Sequence, residues 1–240
     1  VRYKHDLPNY GVFDEKRVFA AGPLPGPINF RGIRLGVPIC EDIWAPDVCE
    51  CLVETGAEIL IVPNGSPFEE GKFDVRLNHA VGRVTETELP LVYVNQVGGQ
   101  DELVFDGGSF VLNGDCSLAL QMPTFESGLV ISEWKLEGDQ WVCALGARVA
   151  PHEGLGAIYR TMTLGLRDYV NKNRFPGVVL GLSGGIDSAL SAAVAVDALG
   201  PERVWCIMLP SKYSSDHSLK DAVDCAELLQ CRLDEVAIEP

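Results

Sequence analysis

Val178–Leu199 reads VVLGLSGGIDSALSAAVAVDAL, and the fold turns on how this stretch is taken. Val178, Val179, Leu180 and Leu182 form a short apolar run of the kind a buried parallel strand uses. Ala189–Leu199 is rich in strong helix formers and predicts a helix. Between them lies Ser183-Gly184-Gly185-Ile186-Asp187-Ser188. Two adjacent glycines let the chain turn tightly and approach a ligand. The first N–H groups of the helix point into that turn with the positive end of its dipole, which makes a cradle for phosphate or pyrophosphate. A second apolar run, Val204–Leu209, follows. Strand, loop, helix and strand in that order give parallel neighbours with a right-handed crossover, and ligands sit beyond the carboxyl ends of such strands. Pro210–Asp216 leaves the second strand at this edge, where Lys212 either faces a phosphate or is simply solvated. Asp216–Leu229 predicts a helix burying Leu219, Val223, Ala226 and Leu229, and Leu233–Ile238 starts another strand.

Three chemistries compete for the glycine turn. A phosphate loop of the G-x-x-x-x-G-K-[S/T] type is excluded, because Ile186 stands five places after Gly181 and no lysine follows. Gly181-Leu182-Ser183-Gly184-Gly185 matches the serine-hydrolase elbow G-x-S-x-G, but only His217 follows it to serve as base. The third reading uses Gly185, Asp187 and Ser188 as well. S-G-G-x-D-S after a strand resembles the pyrophosphate loop of the ATP pyrophosphatase superfamily. That resemblance implies activation of a carbonyl or carboxyl oxygen as an adenylate with release of pyrophosphate. A merely structural glycine turn is the plain alternative.

Outward from the loop, 240 residues with 47% hydrophobic and 22% charged composition suit a soluble globular protein of one large or two small domains. No apolar stretch reaches the length of a membrane span and no basic-then-apolar leader opens the sequence, so no membrane partner and a cytoplasmic location are expected. A net charge of −15 repels nucleic acid as a bulk partner. The eight cysteines are scattered, Cys49-x-Cys51 is not a C-x-x-C pair and the four histidines do not cluster with them. Neither a disulfide framework nor a zinc site is expected, and most of the thiols read as small buried apolar residues.

In the first part of the chain, Ile33–Cys40 is an apolar run that stops abruptly at Cys40-Glu41-Asp42-Ile43-Trp44. A cysteine ending a strand beside acidic residues can be a nucleophile, although a buried structural thiol is the commoner case. Pro46–Thr55 predicts a helix with Val48, Cys51 and Leu52 inward, Glu58–Pro63 a buried strand, Phe73–Leu89 a long helix and Leu91–Asn95 the next strand. Phe110–Leu112 and Ser117–Gln121 predict a hairpin with a type I′ turn at Asn113-Gly114. Val130–Leu145 predicts closing strands, Pro151–Gly156 a boundary, and Ala157–Asn173 a helix whose stripe of Ile158, Met162, Leu166 and Val170 faces a core.

Taken together, Lys4–Gly11 (KHDLPNYG), Val12–Glu15, Pro38–Asp42 (PICED) and Asn64–Phe68 (NGSPF) resemble the glutamine-hydrolysing domain of the nitrilase superfamily. More narrowly they are similar to that domain of the glutamine-dependent NAD synthetases, where it precedes a pyrophosphate loop of the Ser183–Ser188 kind. The resemblance implies a Glu–Lys–Cys triad in which Cys40 is the nucleophile and Lys4 stabilises the intermediate. Its base glutamate belongs upstream in the family order, and neither Glu15 nor Glu41 lies in the matching place. By the same match Tyr10, Ser66 and Lys72 line the glutamine pocket, with Lys72 meeting the substrate carboxylate. Their plain readings are a packed tyrosine, a turn serine and a solvated lysine.

The expected fold class is therefore α/β. Residues 1–150 form the C-terminal part of a nitrilase-like α-β-β-α sandwich, and residues 151–240 the first half of an adenine-nucleotide α-hydrolase-like, Rossmann-like parallel sheet. The expected function is ATP-dependent amidation of deamido-NAD to NAD by a cytoplasmic homo-oligomer, with ammonia from glutamine. Gly181, Leu182, Ser183, Gly184, Gly185, Ile186, Asp187 and Ser188 would hold ATP, and Asp187 would also ligate Mg2+. The chain reads as an internal excerpt of a longer protein, inactive by itself. A serine hydrolase using Ser183 and a non-catalytic nucleotide-binding or scaffold module are the other classes.

Overall fold

The computed structural model describes residues 1–238. The chain divides into two compact units, one of residues 1–97 and 105–153, the other of residues 98–104 and the segment from Gly154 onward.

The first unit begins with an irregular segment and one helical turn, α1 (Glu15–Val18), then β1 (Ile28–Phe30) and β2 (Ile33–Gly36). Next come α2 (Asp47–Glu54), β3 (Ile59–Asn64), α3 (Lys72–Thr87) and β4 (Leu91–Asn95). A short ribbon of β5 (Val97–Gln100) and β6 (Leu103–Asp106), whose residues 98–104 belong to the second unit, precedes β7 (Phe110–Leu112), β8 (Leu118–Gln121), β9 (Trp134–Glu137) and β10 (Gln140–Cys143). Six strands form one sheet in the order β1-β2-β3-β4-β7-β8, parallel from β2 to β4 and antiparallel at both ends. Because side chains alternate across a strand, Leu60, Val62, Leu91, Tyr93, Phe110 and Leu112 all face α2 and α3 and are buried there. On the opposite face Val111, Ala119 and Leu120 pack with Cys143 and Trp134 of the β9–β10 hairpin.

Three local expectations change. The inward cysteine of α2 is Cys49, not Cys51, because Val48, Cys49 and Leu52 make the fully buried face. The β7–β8 turn is not type I′, which needs positive φ at both central residues. It runs from Asn113 to Cys116 with Cys116 N–H on the Asn113 carbonyl, and the left-handed residue is Cys116 at φ 64°. The last expected strands form a separate two-stranded hairpin and do not extend the large sheet.

The second unit holds α4 (Gly154–Lys172), β11 (Val178–Gly181), α5 (Ile186–Leu199), β12 (Val204–Met208), α6 (Asp216–Leu229) and β13 (Arg232–Glu235). Its three strands pair in parallel in the order β11-β12-β13. Leu182, Ala192, Ala195, Cys206, Ala222 and Ala226 form its core. Strand β11 is an edge covered on one face, so Val179 is 61% exposed where a fully buried strand was expected. In α6 Ala226 is buried and Leu219 and Leu229 pack on the core as expected, but Ala222 takes the remaining buried position and Val223 turns outward.

The α4 stripe also differs. Ala157, Leu164 and Val170 are its buried residues and Met162 is exposed, because the helix meets neighbours on two sides. One is α5, and the other is the segment Gly98–Val104. Gly99 donates its N–H to Asp168 Oδ2 at 2.8 Å and accepts from Lys172 Nζ at 2.6 Å. Gly165 is the point of closest approach, since a Cβ there would lie 3.0 Å from Val104 Cγ2.

Candidate active site

Cys40 does not end β2. That strand stops at Gly36, and Cys40 opens a 3-10 turn, Cys40–Ile43, in the left-handed region at φ 51°. A non-glycine residue held there is uncommon and marks a turn that the surroundings enforce. Asp42 enforces it. Fully buried, its carboxylate accepts the N–H of Ile39 (2.9 Å) from its own turn and the N–H groups of His5 (2.9 Å) and Asp6 (2.8 Å) from the distant N-terminal segment. Arg2 adds an ion pair to it at 2.8 Å. One side chain thus fastens the segment carrying Lys4 to the turn carrying Cys40.

The ammonium of Lys4 is bound by both oxygens of Glu15, at 2.9 and 2.8 Å. Tyr10 donates its hydroxyl to Glu41, at 2.8 and 2.9 Å to the two oxygens, and burial together with that carboxylate keeps the phenol protonated. Burial raises the Cys40 thiol above its ordinary value, while the charge of Lys4 and the N–H of Gly65 favour its thiolate. Cys49 is a useful contrast. Its thiol is pushed up to about 12 chiefly by burial, as expected of a packing cysteine.

Ser66 is 7% exposed and fully held. Its N–H donates to Asn95 Oδ1 (3.0 Å), its carbonyl accepts from Asn95 Nδ2 (3.1 Å) and its hydroxyl accepts from Arg76 Nε (2.9 Å). Lys72 is the first residue of α3, and its side chain is only 16% exposed, so it is not a solvated lysine. Its ammonium pairs with Glu69 at 3.0 Å and lies 5.4 Å from the Trp44 ring centroid. Trp44 in turn stacks on His79 at 4.2 Å and lies 6.4 Å from the Tyr10 ring. Tyr10, Glu41 and Trp44 help line a cavity of about 740 Å³. The fold therefore gathers Lys4, Tyr10 and Cys40 around two carboxylates, with Gly65 beside the thiol and Lys72 across Trp44. Asp42, Trp44, Arg76, Asn95 and Asp106 were not singled out from the sequence. Arg76 had a visible signal, since it sits three residues after Phe73 and four before Ala80 on the apolar stripe of α3.

In the second unit the glycine turn has the conformation of a cradle. Gly184 is left-handed at φ 77°, and a Cβ on it would collide with the Ser218 carbonyl oxygen, so no side chain fits. Ser188 Oγ donates to the Gly185 carbonyl (2.9 Å) and accepts the Ser183 N–H (3.2 Å), and the Ser183 and Ser188 hydroxyls are 3.1 Å apart. The first N–H groups of α5 have no partner within the helix and open onto this turn. Leu182, Ser183, Met208, Tyr213, Ser215 and Ser218 contribute to a cavity of about 390 Å³ at the carboxyl ends of β11 and β12. Ser183 is not in a strained left-handed conformation, and among the described residues no histidine hydrogen-bonds it. A hydrolase elbow has neither support here. Asp187 lies in the first turn of α5 beside the two serines.

The carbon-nitrogen hydrolase family model matches residues 1–139. The chain belongs to that family. The carbon-nitrogen hydrolase region is followed by a match to the NAD synthase family over residues 158–240, so a nitrilase-like part precedes a Rossmann-like NAD synthase part. A glutamine-dependent NAD(+) synthetase of Rhodobacter capsulatus is 52% identical over 236 residues, covering 98% of this chain and 43% of the relative. A glutamine-dependent NAD+ synthetase from Acinetobacter baumannii, solved with adenosine diphosphate, superposes with a TM-score of 0.91 at 42% identity, covering 98% of this chain and 44% of that one. A third, from Cytophaga hutchinsonii, shares the fold with a TM-score of 0.75 at 21% identity, over 98% and 47% of the two chains. The chain thus spans less than half the length of the relatives it matches. No described helix is long and apolar enough to cross a membrane.

Proposed function

We propose that this chain carries the glutaminase site and the ATP-binding loop of a glutamine-dependent NAD synthetase, divided near residue 151. The observation that carries the reading is the pairing of a left-handed Cys40 beside Lys4 in one unit with the Ser183–Ser188 cradle in the other. Cys40 as thiolate attacks the side-chain amide of glutamine. The base that has taken the thiol proton passes it to the nitrogen as the C–N bond breaks, so that ammonia departs and the thioester remains. Water then hydrolyses the thioester to release glutamate. Lys4 holds the tetrahedral oxyanion by charge, a task suited to a half-buried ammonium already fixed by Glu15. Glu15 and Glu41 are committed to Lys4 and Tyr10, so neither is assigned as the base. Tyr10, Ser66 and Lys72 orient the amino-acid end of glutamine, Lys72 through the substrate carboxylate.

In the second unit Ser183, Gly184, Gly185 and Ser188 hold phosphate oxygens of ATP, with Gly181 and Leu182 lining the cavity and Ile186 opening the helix beside it. A single carboxylate, Asp187, beside two hydroxyls fits Mg2+, which takes one or two protein ligands and completes its shell with phosphates and water. Bound Mg2+ would neutralise phosphate charge. ATP adenylates the nicotinate carboxyl of deamido-NAD with loss of pyrophosphate, and ammonia displaces AMP. The Acinetobacter baumannii relative's adenosine diphosphate supports the nucleotide assignment. A cytoplasmic homo-oligomer belongs to the same reading. The test is an assay of the complete gene product for AMP and pyrophosphate, with deamido-NAD, xanthylate and aspartate as acceptors and glutamine or ammonia as donor. Turnover with deamido-NAD supports the reading, and turnover confined to another acceptor overturns it.

A further inference from the structure

Arg76 is 2% exposed, and among the described residues its hydrogen bonds lead to the Ser66–Pro67 loop and to the carboxylate that anchors it. Nε donates to Ser66 Oγ at 2.9 Å, and Nη2 donates to the carbonyls of Ser66 (2.9 Å) and Pro67 (2.8 Å). Nη1 lies 3.0 Å from Asp106 Oδ2 and 2.9 Å from Oδ1. Asp106, itself 5% exposed, ends β6 and is the only carboxylate paired with this guanidinium among the described residues. Asn95 closes the loop from the other side through the Ser66 N–H and carbonyl. The same loop carries Gly65, directly after β3, which packs against the Cys40–Ile43 turn, and the Gly65 N–H favours the Cys40 thiolate. A rigid planar fork with fixed donors defines three acceptor positions at once, which a lysine ammonium does not reproduce.

We propose that Arg76 is a positioning residue of the Cys40 site: anchored by Asp106, it fixes the Gly65–Pro67 backbone so that the Gly65 N–H is aimed at the nucleophilic sulfur. Two consequences follow from its chemistry. A guanidinium only donates, so Ser66 Oγ must accept from Nε, and the serine hydrogen is left to point at an acceptor. The loop N–H, in turn, stabilises negative charge on sulfur only while Arg76 holds it in line.

The inference rests on Cys40 being the nucleophile, but its test needs no glutamine and so fails separately from the glutaminase reading. The chain and its Arg76→Lys variant are alkylated with iodoacetamide across a pH series, and the Cys40 peptide is quantified by mass spectrometry. Lysine keeps the charge against Asp106 while giving up the fork. The expected result is a Cys40 profile displaced alkaline by about one pH unit, about a tenfold loss of rate at neutral pH, with the peptides of the half-buried thiols Cys51, Cys116 and Cys225 unchanged. Near-ultraviolet circular dichroism reports whether the variant folds. If it does not, Asp106→Asn, which keeps the guanidinium and removes its anchor, is expected to give a smaller displacement in the same direction. A folded variant of either kind whose Cys40 profile superposes on the parent overturns the proposal.

Discussion

Cys40 and Cys49 lie nine positions apart in one short stretch of sequence, and their surroundings give them opposite characters. Burial raises both thiols; against the rise Cys40 has the Lys4 ammonium and a backbone donor, whereas Cys49 has the Arg83 guanidinium and no backbone donor. Removing the Lys4 charge takes away one of those opposing influences, so the Cys40 titration moves further up and its thiolate becomes scarcer at any given pH. Lys4→Met is therefore expected to slow alkylation of Cys40 while leaving Cys49 as unreactive as before, and to lower glutamine turnover about a hundredfold or more. A rate that is unchanged in both measurements would remove Lys4 from the site. The motif residues Lys4, Tyr10, Cys40 and Ser66 were legible because short stretches of loop carry them whole. Asp42 and Asn95 were not, because their importance comes from backbone donors far away in sequence, and nothing in the local pattern says which N–H groups a carboxylate or amide will reach.

Among the elements, α3 shows what an interior charge does for a helix. Arg76 occupies a place on the buried face that Phe73 and Ala80 share, and the ion pair with Asp106 compensates its desolvation. Breaking such a buried pair by removing one partner leaves a bare charge, so Asp106→Ala is expected to cost about 3–5 kcal/mol in denaturant unfolding. Leu60 on β3, fully buried between the sheet and its helices, is expected to cost about 2–5 kcal/mol on truncation to Ala. In the other unit Gly184→Ala meets both a left-handed backbone and the Ser218 carbonyl. The expected outcome is a loss of about 2 kcal/mol or more and the disappearance of ADP binding in calorimetry. The strands and helices were legible from periodicity, but the faces were less so. Val179, Met162 and Val223 are exposed where a core was expected. Apolar spacing defines a face and does not say whether the fold places a neighbour against it. The segment Gly98–Val104 on α4 is the clearest instance, since a glycine inside a helix, Gly165, is the one local mark of that close approach.

On the scale of the whole molecule, two compact units each present one reactive feature: a thiol at a strained turn, and a glycine cradle at the carboxyl edge of a parallel sheet. The family of the first was legible in four short motifs, and that of the second in one. In the proposed function ammonia links them, released at the thiol site and consumed at the nucleotide site. Free ammonia should then bypass the first site entirely. The decisive measurement is NAD formation from deamido-NAD and ATP by the complete gene product carrying Cys40→Ala, with glutamine and with ammonium chloride in parallel. The account predicts that glutamine-driven synthesis disappears while ammonia-driven synthesis stays within about twofold of the parent, a difference that one removed nucleophile produces on one pathway only. Glutamine-driven synthesis that survives the substitution would contradict it.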